Sequence, residues 1–172
     1  MSAILDARAR RWQAKQRLAR RWRACVISLC LNIPGPDKNP PGADRVFALL
    51  LAALREAHGR ELERNGCDAA KAREIRGAGA DGPYQLMVSP LPAFTLKDMA
   101  VRLEGEHPLG RLADIDVLTQ AGEPVSRADL GLPPRACFLC GEPAALCRRS
   151  GRHPQERLMA FVAALLEQSW EL

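Results

Sequence analysis

The sequence predicts an α+β fold: a βαββαβ-like sandwich, ferredoxin-like in connectivity, with a basic helix before it and a small Cys/His knuckle and a C-terminal helix after it. Three observations carry that expectation. Between residues 25 and 118 the apolar pattern runs strand, helix, weak strand, strand, helix, strand, the order of a split βαβ arrangement. The helical segments show spacings of three and four, and the strand segments are short and β-rich. With 172 residues, 47% of them apolar and 26% charged, the chain can bury a real core and has the balance of an ordinary globular protein.

Residues 3–23 have helical spacing, with Ile4, Leu5, Ala9, Trp12, Gln16 and Ala19 predicted on one face and arginines around the rest. Residues 25–33 read as a buried strand in which Cys25 and Cys30 act as small apolar groups. Asp44 is predicted to cap a helix over 45–65, striped by Val46, Leu49, Leu50, Ala53, Leu54 and Ala57 and stopped at Asn65-Gly66. His58 is expected at its surface. Residues 67–76 fit a poor strand or a short helix, 77–83 a flexible turn, and Tyr84 to Val88 a strand. Thr95 is predicted to cap a second helix, with Leu96, Met99, Ala100 and Leu103 inward, ending near Gly105 ahead of His107-Pro108. A strand around Asp114-Ile115-Asp116 follows, then a turn at 120–123 into a short strand over 124–127, and finally a helix over 155–170.

The charge is unevenly placed. Residues 1–23 carry eight Lys/Arg (Arg8, Arg10, Arg11, Lys15, Arg17, Arg20, Arg21, Arg23) against Asp6, while the remainder holds 17 bases and 19 acids. The formal net charge of +5 therefore belongs to the leading helix. That helix is either a solvated arginine face or a surface for nucleic acid, an acidic protein or phosphates. No run of eighteen apolar residues and no secretory h-region occurs, so a cytoplasmic location without a membrane span is expected. Six cysteines in that setting are free thiols or metal ligands rather than disulfides.

Three stretches can carry chemistry. On a strand, Asp114 and Asp116 share one face while Ile115 and Val117 take the other. Two adjacent carboxylates repel, and a divalent cation with a taste for hard oxygen, such as Mg²⁺, resolves the repulsion; a solvated edge strand is the alternative. Gly110-Arg111 places a tight turn and a guanidinium beside the pair. Residues 34–42 form a loop dense in proline and glycine that bears Lys38, either a phosphate cradle or a rigid connection. Cys137, Cys140, Cys147 and His153 have the spacing C-x2-C-x6-C-x5-H, which suits tetrahedral Zn²⁺; unligated structural thiols and a redox dithiol compete with that reading. Arg135, Arg148, Arg149 and Arg152 surround the cluster and make a basic patch.

The stretches Asn32-Ile33-Pro34-Gly35-Pro36-Asp37-Lys38-Asn39, His107 through Asp114-Ile115-Asp116-Val117, and Leu132 through Cys137 and Cys140 to Cys147 and His153 together resemble the apo-citrate lyase phosphoribosyl-dephospho-CoA transferases, also called holo-citrate-lyase acyl-carrier-protein synthases. The resemblance spans most of residues 5–165. Ala113 stands where that family usually has an aromatic, and residues 66–83 diverge locally. The resemblance implies a ferredoxin-like or nucleotidyltransferase-like form and a single transferase domain over 1–172, divided into basic helix 1–23, core 24–130, knuckle 131–153 and C-terminal helix 154–172.

It further implies transfer from 2'-(5''-triphosphoribosyl)-3'-dephospho-CoA to a serine of the citrate lyase acyl-carrier subunit, with pyrophosphate leaving. In such a transfer the protein mainly positions groups and neutralises charge. Asp114 and Asp116 would then hold Mg²⁺, and Arg111 would stabilise developing charge. Lys38, Gly110, Arg135, Arg148 and Arg149 would contact the donor. Glu104, Glu106 or His107 would supply a third ligand or the base, and the basic residues of 8–23 would dock the carrier. Zn²⁺ in the knuckle would be structural. The alternatives are the same transfer to a malonate decarboxylase carrier, or a zinc-stabilised module binding nucleic acid or protein. An aromatic content of 5% opposes a base-stacking surface, so neither nucleic acid nor membrane is expected as a partner.

Overall fold

A computed structural model describes residues 3–171 of the chain. Strand β1 (Cys25–Leu31) lies at the middle of a five-stranded sheet, with every residue from Val26 to Leu31 buried. Helix α1 (Ala3–Trp22) precedes it, and α2 (Ala43–Arg64) leads from it to β2 (Arg73–Gly79) and β3 (Gly82–Ser89). Helix α3 (Ala93–Glu106) then runs to β4 (Ala113–Leu118), and β5 (Pro124–Val125) ends the sheet. The strand order is β2-β3-β1-β4-β5, antiparallel throughout. Strands β1 and β2 both run against β3, which lies between them, so the connection through α2 is the split βαβ crossover expected of a βαββαβ chain. Helices α4 (Ala144–Ser150) and α5 (Gln155–Gln168) complete the chain. No helix of the described residues is long and apolar enough to cross a membrane.

Alternation along the strands gives the sheet two unlike faces. Ile27, Leu29, Leu31, Met87, Ile115 and Val117 join the inner faces of α2 and α3, with Val162 and Leu166 of α5, in the main core. Phe47, Leu50, Leu54 and Leu96 are fully buried there, each stabilising the fold by roughly 1.5–3 kcal/mol. On the opposite face Ala19 of α1 packs with Val26, Val88 and Leu118. That second core is small, and beyond it the face carries Ser28, Cys30, Asp114 and Asp116.

Several expectations require correction. Asp44 is not the cap of α2: Gly42 is, with φ +88° and no side-chain cap bond. Thr95 lies inside α3, which starts after Pro92. Residues 67–76 contain both a short 3-10 turn at Ala69–Lys71, capped by Asp68, and the start of β2. The predicted flexible turn at 77–83 is mostly ladder, because Gly77 to Gly79 pair with Gly82 to Tyr84 and leave only Ala80-Asp81 at the tip. The first strand ends at Leu31, and β5 covers Pro124–Val125 rather than 124–127.

His58 is buried, not at the surface: its Nε2 lies 2.8 Å from Ser89 Oγ across the α2–sheet interface. The packed stripe of α1 also differs from the apolar one. Ala7, Lys15 and Ala19 are buried, whereas Leu5 and Trp12 are exposed. Ion pairs from Arg11 and Lys15, beside the small buried Ala7 and Ala19, hold this helix against the sheet.

Candidate active site and metal centre

Those ion pairs frame the site. Lys15 Nζ lies 2.6 Å from Asp116 Oδ2, with the lysine side chain 4% exposed and the aspartate 48%. One turn earlier Arg11 pairs with Asp81, the buried tip residue of the β2–β3 hairpin. Across β1 and β4, Cys30 faces Asp114 and Ser28 faces Asp116. Cys30 Sγ is 3.5 Å from Asp114 Oδ2; burial, and then the Asp114 charge, push its thiol well above the ordinary range. Asp114 and Asp116 thus share the face predicted for them, with Ile115 and Val117 in the core behind.

A cleft of about 1130 Å³ opens over this face. Its floor is Cys30, Asp114 and Asp116, one wall is Arg8, Arg11, Trp12 and Lys15 of α1, and the other is the 134–158 segment. Seven cationic side chains line it (Arg8, Arg11, Lys15, Lys38, Arg111, Arg135, Arg148) against three carboxylates (Asp81, Asp114, Asp116). Such an enclosed positive excess favours a multiply charged anion.

The other residues of the Gly110-Arg111 motif have structural contacts. Gly110 is buried, and only glycine fits there because a Cβ would collide with Leu103 O and meet Glu104 O at 2.7 Å. It does not line the cleft. Arg111 does, and its Nη2 donates to the carbonyls of Ala136 (2.8 Å) and Cys137 (3.0 Å) while its guanidinium stacks over Phe138. Arg135 returns the contact, donating to the carbonyl of Arg111 at 2.8 Å. Burial, and then the neighbouring Arg135, lower the Arg111 pKa.

Glu104 is buried under the strand: Oε1 accepts from the N–H of Ile115 at 3.0 Å, and Arg127 and Arg135 stand beside it. Burial raises its pKa despite the nearby Arg135 and the Ile115 hydrogen bond. His107 Nδ1 accepts from the N–H of Leu109 at 3.0 Å, shaping the turn between α3 and β4 outside the cleft. Glu106 is exposed. Lys38 lines the cleft while donating to the carbonyl of Ile33; burial, and then Arg8, lower its pKa. Arg148 faces the cleft and Arg149 does not.

The cysteine cluster forms as its spacing predicted. A short hairpin, bridged at Ala136 and Pro143, presents Cys137 and Cys140; α4 presents Cys147; His153 follows the left-handed Gly151. The four ligand atoms lie within 4.8 Å of one another, so the group can hold a metal. Cys140 Sγ is 3.5 Å from Cys147 Sγ and 3.3 Å from His153 Nε2. Tetrahedral zinc with thiolate and imidazole ligands sets such separations at about 3.5–3.8 Å, so the residues fit the ion. His153, with a backbone hydrogen bond at Glu142, pulls the Cys140 thiol down to about 6, while burial pushes Cys147 up to about 11.

Sequence reasoning missed Asp81, Cys30, Trp12 and the cleft-facing row of α1. The row was visible only as the spacing of 8, 11, 12 and 15, which places them on one helical face; Asp81, in a glycine-rich turn, left no signal.

A family model for apo-citrate lyase phosphoribosyl-dephospho-CoA transferases matches residues 1–169. The chain belongs to that family. Relatives of that name in Escherichia coli O139:H28 and in Shigella flexneri serotype 5b are each 38% identical over 141 residues, covering 82% of this chain and 74% of the relative. A third, from Escherichia coli strain 55989 and named as a probable transferase of the same kind, matches to the same extent.

Proposed function

We propose that the protein transfers the phosphoribosyl-dephospho-CoA group from its triphosphate precursor to a serine of the citrate lyase acyl-carrier subunit. The observation that carries this reading is a carboxylate pair on the floor of a cation-lined cleft, in a chain of this family. The serine oxygen forms a bond to the phosphorus nearest the ribose, the bond from that phosphorus to pyrophosphate breaks, and the hydroxyl proton leaves to a base. Asp114 and Asp116 would hold Mg²⁺, since two hard carboxylate oxygens beside a phosphate site suit that ion. Held there, the ion would neutralise charge on the phosphate oxygens.

Arg111 reaches the cleft from the end of the α3–β4 turn and stabilises the charge that develops on the leaving pyrophosphate. Its tie to the knuckle fixes where that charge sits. Cys137, Cys140, Cys147 and His153 would hold Zn²⁺ as a structural rather than a reactive ion, since all four ligands come from the chain. The carrier approaches the outer rim, where Arg17, Arg20 and Arg21 of α1 and Arg149 near the knuckle are exposed. His107 and Glu104 act by holding the turn and β4 in place.

The test is to incubate the protein with Mg²⁺, the triphosphate precursor and apo-carrier, and to weigh the carrier by mass spectrometry. The carrier should gain the prosthetic group, and Asp114→Asn or Asp116→Asn should slow the gain at least a hundredfold. No adduct with the wild type, or normal transfer by both variants, overturns the reading.

A further inference from the structure

The basic helix has two faces with different surroundings. Arg8, Arg11, Trp12 and Lys15 follow one another at helical spacing and all line the cleft, whereas Arg10, Arg17, Arg20 and Arg21 lie outside it. Lysine is rarely buried without a partner, yet Lys15 is almost wholly enclosed with its ammonium on Asp116. An ammonium on Asp116 occupies the place that a divalent cation would take on the same carboxylate. When an ion of charge +2 arrives there, the lysine becomes a surplus cation beside the incoming ligand. The cleft already has more positive than negative side chains, so an anion is needed to balance it.

We infer that the inward face of α1 (Arg8, Arg11 and Lys15) is the binding wall for the donor's polyphosphate, with Lys15 moving from Asp116 to a phosphate oxygen as metal and donor enter. The division assigns the two faces of one helix to two partners: the inner row to a polyphosphate, the outer row to the carrier. Lys15 thereby serves as the counter-ion of Asp116 before the metal binds, which keeps two neighbouring carboxylates tolerable on one half-buried strand face. This inference takes the polyphosphate class of ligand from the transfer reading, and its test needs neither donor nor carrier.

The probe is inorganic tripolyphosphate with Mg²⁺, titrated calorimetrically into the full chain. Lys15→Met and Arg8→Met should each weaken binding about tenfold or more, Lys15→Arg should restore most of the Lys15 loss, and an Arg17→Met/Arg20→Met/Arg21→Met variant should bind like the wild type. Arg8 is exposed, so its variant folds even if Lys15→Met does not. Affinities within twofold of wild type for both Lys15→Met and Arg8→Met, with melting temperatures alone altered, overturn the inference and leave Lys15 a clamp between helix and sheet. Equal weakening by the outer-face variant overturns the division of faces. Tripolyphosphate binding as expected, without carrier modification in the transfer assay, would sink the transfer reading and leave this one standing.

Discussion

Gly110→Ala is the sharpest test of how the site is built, because its cost can be worked from the structure. The added Cβ would collide with Leu103 O and stand 2.7 Å from Glu104 O and 2.9 Å from Glu104 C. All three atoms are backbone of the last turns of α3, so no side-chain rotation relieves the clash. Overpacking of this kind costs about 1–3 kcal/mol, and with only backbone to move the upper end applies. In a chain of this size 3 kcal/mol lowers Tm by about 6–12 °C. Transfer activity should fall as well, since the displaced segment carries Arg111 and the carbonyls that Arg135 holds. Gly141→Ala is the control: nothing lies within 4 Å of its added Cβ, and its Tm should stay within about 2 °C. Thermal unfolding by circular dichroism reads both. If Gly110→Ala melts like the wild type while losing donor affinity, the glycine contacts substrate and the packing argument is wrong.

Other expectations follow from individual groups. Stripping metal with a strong chelator, or Cys140→Ser, should release one zinc per chain by elemental analysis and unravel the 134–153 wall, with transfer falling at least tenfold as Arg111 loses the carbonyls of Ala136 and Cys137; full activity in zinc-free protein would refute this. Burial lowers the His58 pKa below 6.5, so the unfolded chain takes up that proton more readily and this group's contribution to stability falls as pH drops from 7 towards 5, while the raised Glu104 pKa acts in the opposite sense. His107 is shifted the same way, so the test is the difference between wild type and His58→Asn: urea melts at several pH values should show the wild type losing more stability on acidification than the variant, and an equal or smaller loss contradicts the assignment. Ser28 Oγ is buried without a hydrogen-bond partner; Ser28→Ala should therefore be neutral or stabilising by up to about 1 kcal/mol, and a loss of more than that in the same melts would mean the hydroxyl has a partner.

What the sequence disclosed depended on whether one force acted at each place. Helices α2 and α3 bury clean apolar stripes, so period alone located Leu50, Leu54, Leu96 and Met99. The ligand spacing of the knuckle was legible because metal geometry constrains it locally. Asp114 and Asp116 were placed on one face because a strand leaves no other option. The first helix misled because Lys15 and Arg11, which read as surface residues, are pinned inward by carboxylates 101 and 70 positions away. His58 misled in the same manner, since its partner Ser89 lies on another element. Gly77 to Gly79 read as a turn because glycine marks turns locally, while the pairing that makes them a strand is long-range. Gly110 was assigned to substrate for want of any local sign that α3 lies against it.

The cleft draws its floor from the middle of the chain and its walls from opposite ends. Residues 25–118 contain β4, which carries Asp114 and Asp116, and β1, which pairs with it at both positions, and α1 is complete by Trp22. The facing wall comes only with residues 134–158, and it is anchored by α5, where Phe161 stacks on Phe138 at 5.3 Å and Ser169 accepts from Arg45 at 2.8 Å. During synthesis, then, a nascent chain can display the acidic floor long before it can enclose a ligand. Enclosure therefore depends on α5: a chain cut before Gln155 would keep the acidic floor and the basic helix but lose the anchor of the facing wall.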